Sequence, residues 1–362
     1  MSNCLEAISG ATVVICCGPG GVGKTTVSAS LAIALAEQGQ RVCVMTVDPA
    51  RRLADVLGIN TISNEPSVVP AVKPGVLSAM MLDTASTFDR LIDRYAPTLE
   101  QAETIRSTRI YQAMVSSLGG TQEYMAMEKL YELQTSGNYD VIVVDTPPTR
   151  NALELLDAPQ RITQLFENRL FRALLMPTKA YLRAFGIATQ AMLKAVSSAA
   201  GAELVADAVA FLQAFAGMEE GFVERSNAMR ALLRADTTRY IVVTAPRADA
   251  VAEAMYFADQ LQTTGTSVAA LIVNRRTPDL GDFQPSTKVE SQGFVELVEN
   301  LNRMHVDHEA EAALVASLIA RAGAPTVVEL PLVADDSHDL AGLRAMAAGL
   351  SGAKPRRPRR RE

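Results

Sequence analysis

Short runs of β-branched and other apolar residues recur along the chain at 12–17, 41–47, 141–145, 239–244, 268–273 and 325–330, mostly bounded by Gly, Pro, Asn or Asp. Runs of this length with such boundaries predict strands, buried on both faces where polar residues do not alternate with apolar ones. Between them the apolar spacing lengthens. An amphipathic helix is predicted over 25–38, ending at Gly39, with further helices over 248–262, 289–322 and 336–350. Residues 83–121 read as largely helical, with Phe88, Leu91, Ile92 and Tyr95 at helical spacing, and 122–134 as another helix; 76–81 reads as an edge strand. From 152 to 234 there is no strand pattern, only helices, among them 170–175, 180–197 and 202–218. Strand and helix alternate on both sides of this block. That arrangement predicts an α/β fold with a mostly parallel central sheet flanked by helices and a large helical insertion at about 152–234, within one domain over 1–350.

The first strand runs into Gly18-Pro19-Gly20-Gly21-Val22-Gly23-Lys24-Thr25-Thr26, and a helix follows at once. Glycines let the backbone turn so that successive N–H groups converge on phosphate oxygens, and the helix N-terminus adds its positive end. In such a P-loop the lysine, Lys24, bridges the β- and γ-phosphates and the hydroxyl of Thr25 ligates Mg²⁺. A glycine turn that binds nothing is the bland alternative, and the full pattern in strand–loop–helix context argues against it. The expected ligands are ATP and Mg²⁺.

Two acids end predicted strands. Asp48 precedes Pro49, which makes an ordinary helix cap, yet it also falls at the carboxyl end of a parallel strand, where open α/β sheets bind ligands. Asp145 closes Val141-Ile142-Val143-Val144, the Walker B shape, and would hold the Mg²⁺ shell. The stretch Thr146-Pro147-Pro148-Thr149-Arg150-Asn151 reads as a stiff loop after it, able to sense a γ-phosphate.

Hydrophobic residues are 48% and charged residues 20% of the chain, so most of it has the means to fold. No apolar run reaches the ~18 residues of a spanning helix, and the N-terminus lacks a secretory pattern, so a cytoplasmic protein is expected. Cys4, Cys16, Cys17 and Cys43 imply no disulfide framework; three fall in predicted core strands. His305 and His308 read as a solvated helix face rather than metal ligands. Residues 351–362 read as a disordered basic tail, with six basic residues against Glu362. It would add at most peripheral membrane contact, and the acidic remainder argues against a dedicated nucleic-acid surface.

The ordered set Gly18 to Thr26, Asp48-Pro49-Ala50 with Leu53-Ala54-Asp55, Asp145-Thr146-Pro147-Pro148-Thr149, Asn274 after a strand and Pro331-Leu332 before the last helix resembles the arsenite-pump and tail-anchored-protein-targeting ATPases. The resemblance implies that Asp48 orients the attacking water near the metal, that Thr25 and Asp145 serve Mg²⁺, and that Asn274 and the stretch after Pro331 meet the adenine. Gly18, Gly20, Gly21, Val22, Gly23, Lys24, Thr25 and Thr26 form the nucleotide loop. It also implies a dimer that opens and closes with hydrolysis and a client surface on the helical insertion. One departure matters most: the hallmark lysine falls at Pro19, which carries neither charge nor N–H. Either Arg51, Arg52 or Arg150 supplies that charge, or a lysine-bearing paralogue completes a heterodimer. The alternatives are a catalytically degenerate nucleotide-binding subunit and a partitioning or septum-positioning ATPase.

Overall fold

The β-branched runs do form strands in the computed structural model of the chain, whose described residues are 3–48, 50, 52–59, 62–117, 121–167, 207, 211, 214–215, 217–281, 291–323, 326–333 and 339–352. They are β1 (Val13–Cys17), β2 (Arg41–Thr46), β3 (Ser67–Val68), β4 (Val76–Met81), β5 (Val141–Asp145), β6 (Thr238–Thr244), β7 (Val268–Arg276) and β8 (Thr326–Pro331). They make one eight-stranded sheet in the order β3-β4-β2-β5-β1-β6-β7-β8. Every neighbouring pair is parallel except the two-residue β3 against β4. Parallel register sets Asp145 beside Cys16 on one side and Thr46 on the other, so the chemistry-bearing strand ends form a row.

Helix α1 (Cys4–Ala7) lies against β7 and β8, whereas α2 (Lys24–Glu37) and α3 (Arg52–Leu57) pack on the β1, β2, β4 and β5 part of the sheet. Helix α2 is not amphipathic as the sequence suggests: Val27 to Ala36 are all buried. Its Ala and Ser positions are small enough for close approach on every side, and a helix apolar all round belongs in a core. The last helix, α12 (Leu340–Leu350), covers it with Leu343, Ala347 and Leu350, and Arg344 pairs with Glu37 at 2.7 Å.

The chain divides into two compact units. Met1–Met81, Glu132–Leu153 and Arg234–Glu362 form the first, which holds the sheet; Leu82–Tyr131 and Glu154–Leu233 form the second. The helical pattern of 83–121 resolves into α4 (Thr84–Tyr95), α5 (Leu99–Ser107) and α6 (Arg109–Ser117), followed by α7 (Thr121–Thr135). Separate caps divide them: Asp83 accepts from the Ser86 amide at 2.8 Å, and Thr98, after Pro97, accepts from that of Gln101 at 3.2 Å. The stretch 146–151 is a shorter loop than expected, because α8 (Thr149–Glu167) begins directly after Pro148.

Within the second unit, Tyr95, Tyr124 and Phe215 pack around Phe222 of α9 (Glu219–Arg234), with ring centroids 5.4, 6.3 and 5.6 Å away. Buried Glu128 takes a forked pair of bonds from Arg225, whose guanidinium lies 4.1 Å over the Tyr131 ring. The helices expected at 170–175 and 180–197, most of 202–218 and the tail from 353 lie outside the described residues. Among the described residues no helix is long and apolar enough to cross a membrane.

The remaining helices of the first unit are α10 (Ala248–Thr263) and α11 (Gln292–Ala322). His305 and His308 on α11 are not a free solvated face: His305 Nδ1 lies 3.3 Å from Asp279 Oδ1 and His308 Nδ1 2.8 Å from the Thr277 carbonyl, tying α11 to the exit of β7. Among the described residues no His, Cys, Asp or Glu cluster could hold a metal by itself.

Candidate nucleotide site

The loop after β1 takes its shape from two glycines that no other residue could replace without displacement. A Cβ on Gly18, at φ +150°, would stand 2.0 Å from the Val243 carbonyl oxygen; one on Gly23, at φ +92°, would stand 2.5 Å from Asn274 Nδ2. Gly23 is also the residue that opens α2. Lys24 is 8% exposed, and its Nζ donates to the carbonyls of Gly18 at 2.9 Å and Pro19 at 2.8 Å. The ammonium thus holds the loop in an arc and keeps a third donor. Burial lowers its pKa, opposed chiefly by the charge of Asp145.

On one side of the loop stand the acids. Asp145 is 1% exposed, and its Oδ2 accepts from the Thr25 hydroxyl at 2.8 Å and the Thr46 hydroxyl at 3.0 Å. Oδ1 is buried with no partner. Burial raises this carboxyl to about 6, with the two hydroxyls and Lys24 opposing. A buried, unpaired oxygen costs free energy unless something else meets it. A hard cation suits it, and the Thr25 hydroxyl beside it is the matching second donor, so these residues fit Mg²⁺. Asp48 does cap its own turn, with Oδ1 accepting from the Ala50 amide at 2.9 Å, but Oδ2 remains only 3.7 Å from Arg52 Nη1. The loop, Asp48, Arg52, Thr146 and Pro148 line one open cleft of about 460 Å³.

On the other side stands the exit of β7. Asn274 Nδ2 donates to the Val22 carbonyl at 2.8 Å, and its Oδ1 accepts from the Arg275 amide at 2.9 Å. Arg275 Nη1 donates to the Gly21 carbonyl at 3.1 Å and lines the same cleft. Arg276, 4% exposed, is held by Glu311, Glu329 and the His308 carbonyl. Pro331 ends β8 away from the cleft lining, where the next amide, Leu332, donates to the Arg276 carbonyl at 2.7 Å. Arg51 and the side chain of Arg150 lie outside the described residues. Sequence reasoning did not find Arg275 or Thr46, whereas Thr146, read as part of the loop after Asp145, does line the cleft. Thr46, paired with Asp145 across two parallel strand ends, was the more accessible of the two. The cysteines are core: all four are buried, and burial pushes the Cys17 thiol up to about 12, far from reactive.

A doubly wound parallel sheet, a glycine loop feeding a helix N-terminus, a lysine inside that loop and a Walker B acid on the next strand define a P-loop ATPase. Comparison with known proteins narrows the class: residues 11–307 match the anion-transporting ATPase family, and the chain belongs to it. It is 35% identical over 143 residues to the ATPase ASNA1 homolog 1 of Paramecium tetraurelia, covering 39% of this chain and 42% of that protein. It is 33% identical over 157 residues to the ATPase GET3 of Malassezia globosa, covering 40% and 42%. It is 35% identical over 156 residues to Protein Rv2184c of Mycobacterium tuberculosis, covering 39% and 36%. The matched stretches therefore span about two fifths of these relatives' lengths.

Proposed function

We propose that the protein hydrolyses ATP in a Mg²⁺-dependent reaction that resets a conformational cycle. The observation that carries this reading is the buried, unpartnered Oδ1 of Asp145 next to the Thr25 hydroxyl, at the foot of the loop. Thr25 and Asp145 would hold the Mg²⁺ shell, with Asp48 close to it; when bound, the cation supplies positive charge to the phosphate oxygens. Lys24, with a donor in reserve, bridges the β- and γ-phosphates, and the loop amides from Gly20 to Thr26 receive their oxygens. Asp48, which lines the cleft, orients the attacking water and accepts its proton as the bond to the γ-phosphorus forms. The leaving ADP keeps the electron pair of the broken bond.

Pro19 leaves one cation missing from the loop. Arg52, beside Asp48 in the cleft, is positioned to supply charge as the γ-phosphate transfers, with Arg51 and Arg150 as the other two candidates. The same departure favours a second reading, a nucleotide-binding subunit that depends on a lysine-bearing partner. Two relatives named ATPase ASNA1 homolog 1 and ATPase GET3 support a nucleotide-driven machine of this type, and the family resemblance supports a dimer that handles an apolar client on its helical insertion in the cytoplasm. Phosphate release by the purified full chain is the test. Turnover that falls on Asp48→Asn and on Arg52→Ala supports the enzyme; Mg²⁺-dependent ATP binding without any turnover moves the reading to the partner-dependent subunit.

A further inference from the structure

The strand order gives the cleft a direction. Along the carboxyl edge of the sheet come Asp48 after β2, Asp145 at β5, the phosphate loop after β1, then β6 and finally Asn274 and Arg275 at β7. Both acids stand on the β5 and β2 side. A nucleotide whose terminal phosphate meets them leads its nucleoside away from them, and β7 is the other wall.

Arg275 has two features that an ordinary surface arginine lacks. Its φ is +60°, and it is the one non-glycine residue with positive φ among those described. A side chain is held in that region only where its surroundings over-determine it, and such outliers gather at ligand sites. Two bonds hold it there, from its amide to Asn274 Oδ1 and from its Nη1 to the Gly21 carbonyl. No described carboxylate pairs with it, so the guanidinium keeps a free planar face and most of its donors.

The anchor says which part of the nucleotide this face can reach. In a planar peptide the C=O and N–H point in opposite directions. The Gly21 carbonyl shares its peptide with the Val22 amide, one of the loop donors that the nucleotide reading above assigns to phosphate. Arg275 therefore holds the loop from its outer wall, off the phosphate path, while still lining the cleft.

We propose that Arg275 is the nucleoside-side clamp of this site, pinning the loop at Gly21 while the flat face of its guanidinium covers the purine base. This rests on the nucleotide reading above. Stacking on a flat cation reads no base identity, so this residue contributes affinity rather than choice of base.

Arg275→Gly tests it without endangering the fold, because glycine accepts φ +60° more readily than arginine does. Calorimetry with Mg²⁺ on the full chain should show ATP and ADP binding about tenfold weaker in this variant, with inorganic tripolyphosphate weakened only about twofold to threefold by the lost bond to Gly21. Arg275→Lys, which keeps the charge but loses the planar face, should recover only part of the loss. Unchanged ATP affinity in Arg275→Gly overturns the clamp, as does an equal loss for tripolyphosphate, which would make Arg275 a brace for the loop alone. If the unaltered protein takes up neither ligand, the nucleotide reading itself fails, and that control separates the two failures.

Discussion

The two flanks of the phosphate loop are built in opposite ways. Facing β5 and β2, polar atoms are left incomplete: Asp145 Oδ1 is buried without a partner, and Asp48 Oδ2 has only a 3.7 Å approach from an exposed arginine. Facing β7, Asn274 and Arg276 are completed, Arg275 alone keeping free donors: Asn274 spends both ends of its amide on the backbone, and buried Arg276 is shared among two glutamates and a carbonyl. Incomplete groups are unfavourable in the free protein and favourable once a ligand arrives, so that flank is suited to chemistry. Completed groups already hold their geometry, so the other flank is suited to keeping the loop in shape.

If the contrast is right, substitutions on the two sides differ in kind as well as size. Lys24→Ala, at the centre, should have the largest effect, weakening ATP binding about 10³-fold by calorimetry while the fold survives. Asp48→Asn should lower phosphate release by about 10² or more and leave ATP affinity within about threefold. Equal loss of both would reduce Asp48 to the turn it also holds through the Ala50 amide. For the completed groups on the β7 side, Arg276 and Asn274, the readout should be stability. Arg276→Ala removes the buried cation shared by Glu311 and Glu329, leaving Glu311 only its bonds from the Thr277 amide and hydroxyl, and should cost about 2 to 3 kcal/mol in denaturant unfolding. Asn274→Ala removes two bonds to the backbone and should cost about 1 to 2 kcal/mol, with the change in ATP affinity following from a looser loop. A large turnover defect in Arg276→Ala at unchanged stability would erase the distinction between the flanks.

Much of the sheet was legible because its signal is local. Val13 to Cys17 and Val141 to Val144 are β-branched or small apolar residues with no alternation, and only a strand covered on both faces accommodates them. Helix α2 was legible in extent and misjudged in surroundings, since periodicity reports which residues are apolar and not how many sides are covered. Residues 83–121 were helical by spacing, yet that spacing could not say that they pack in the same unit as 154–233, for two segments separated by a strand share no pattern. The Asp145 cluster was half legible. The acid at a strand end and the Thr25 hydroxyl at the start of α2 announced themselves; the Thr46 hydroxyl that completes the cluster comes from the neighbouring strand β2 and depends on register.

What the amino-acid order determined by itself was a strand, a glycine loop and a helix with a lysine at its mouth, because each of those choices is dictated by neighbours along the backbone. What the tertiary structure decided was which distant groups close on that loop. Asn274 reaches Val22 across 252 positions and Arg275 reaches Gly21 across 254, and neither pairing leaves a trace in local spacing. Parallel strands must be joined by long crossovers, so residues that share the carboxyl edge of such a sheet are necessarily remote in sequence, and only the folded sheet brings them together.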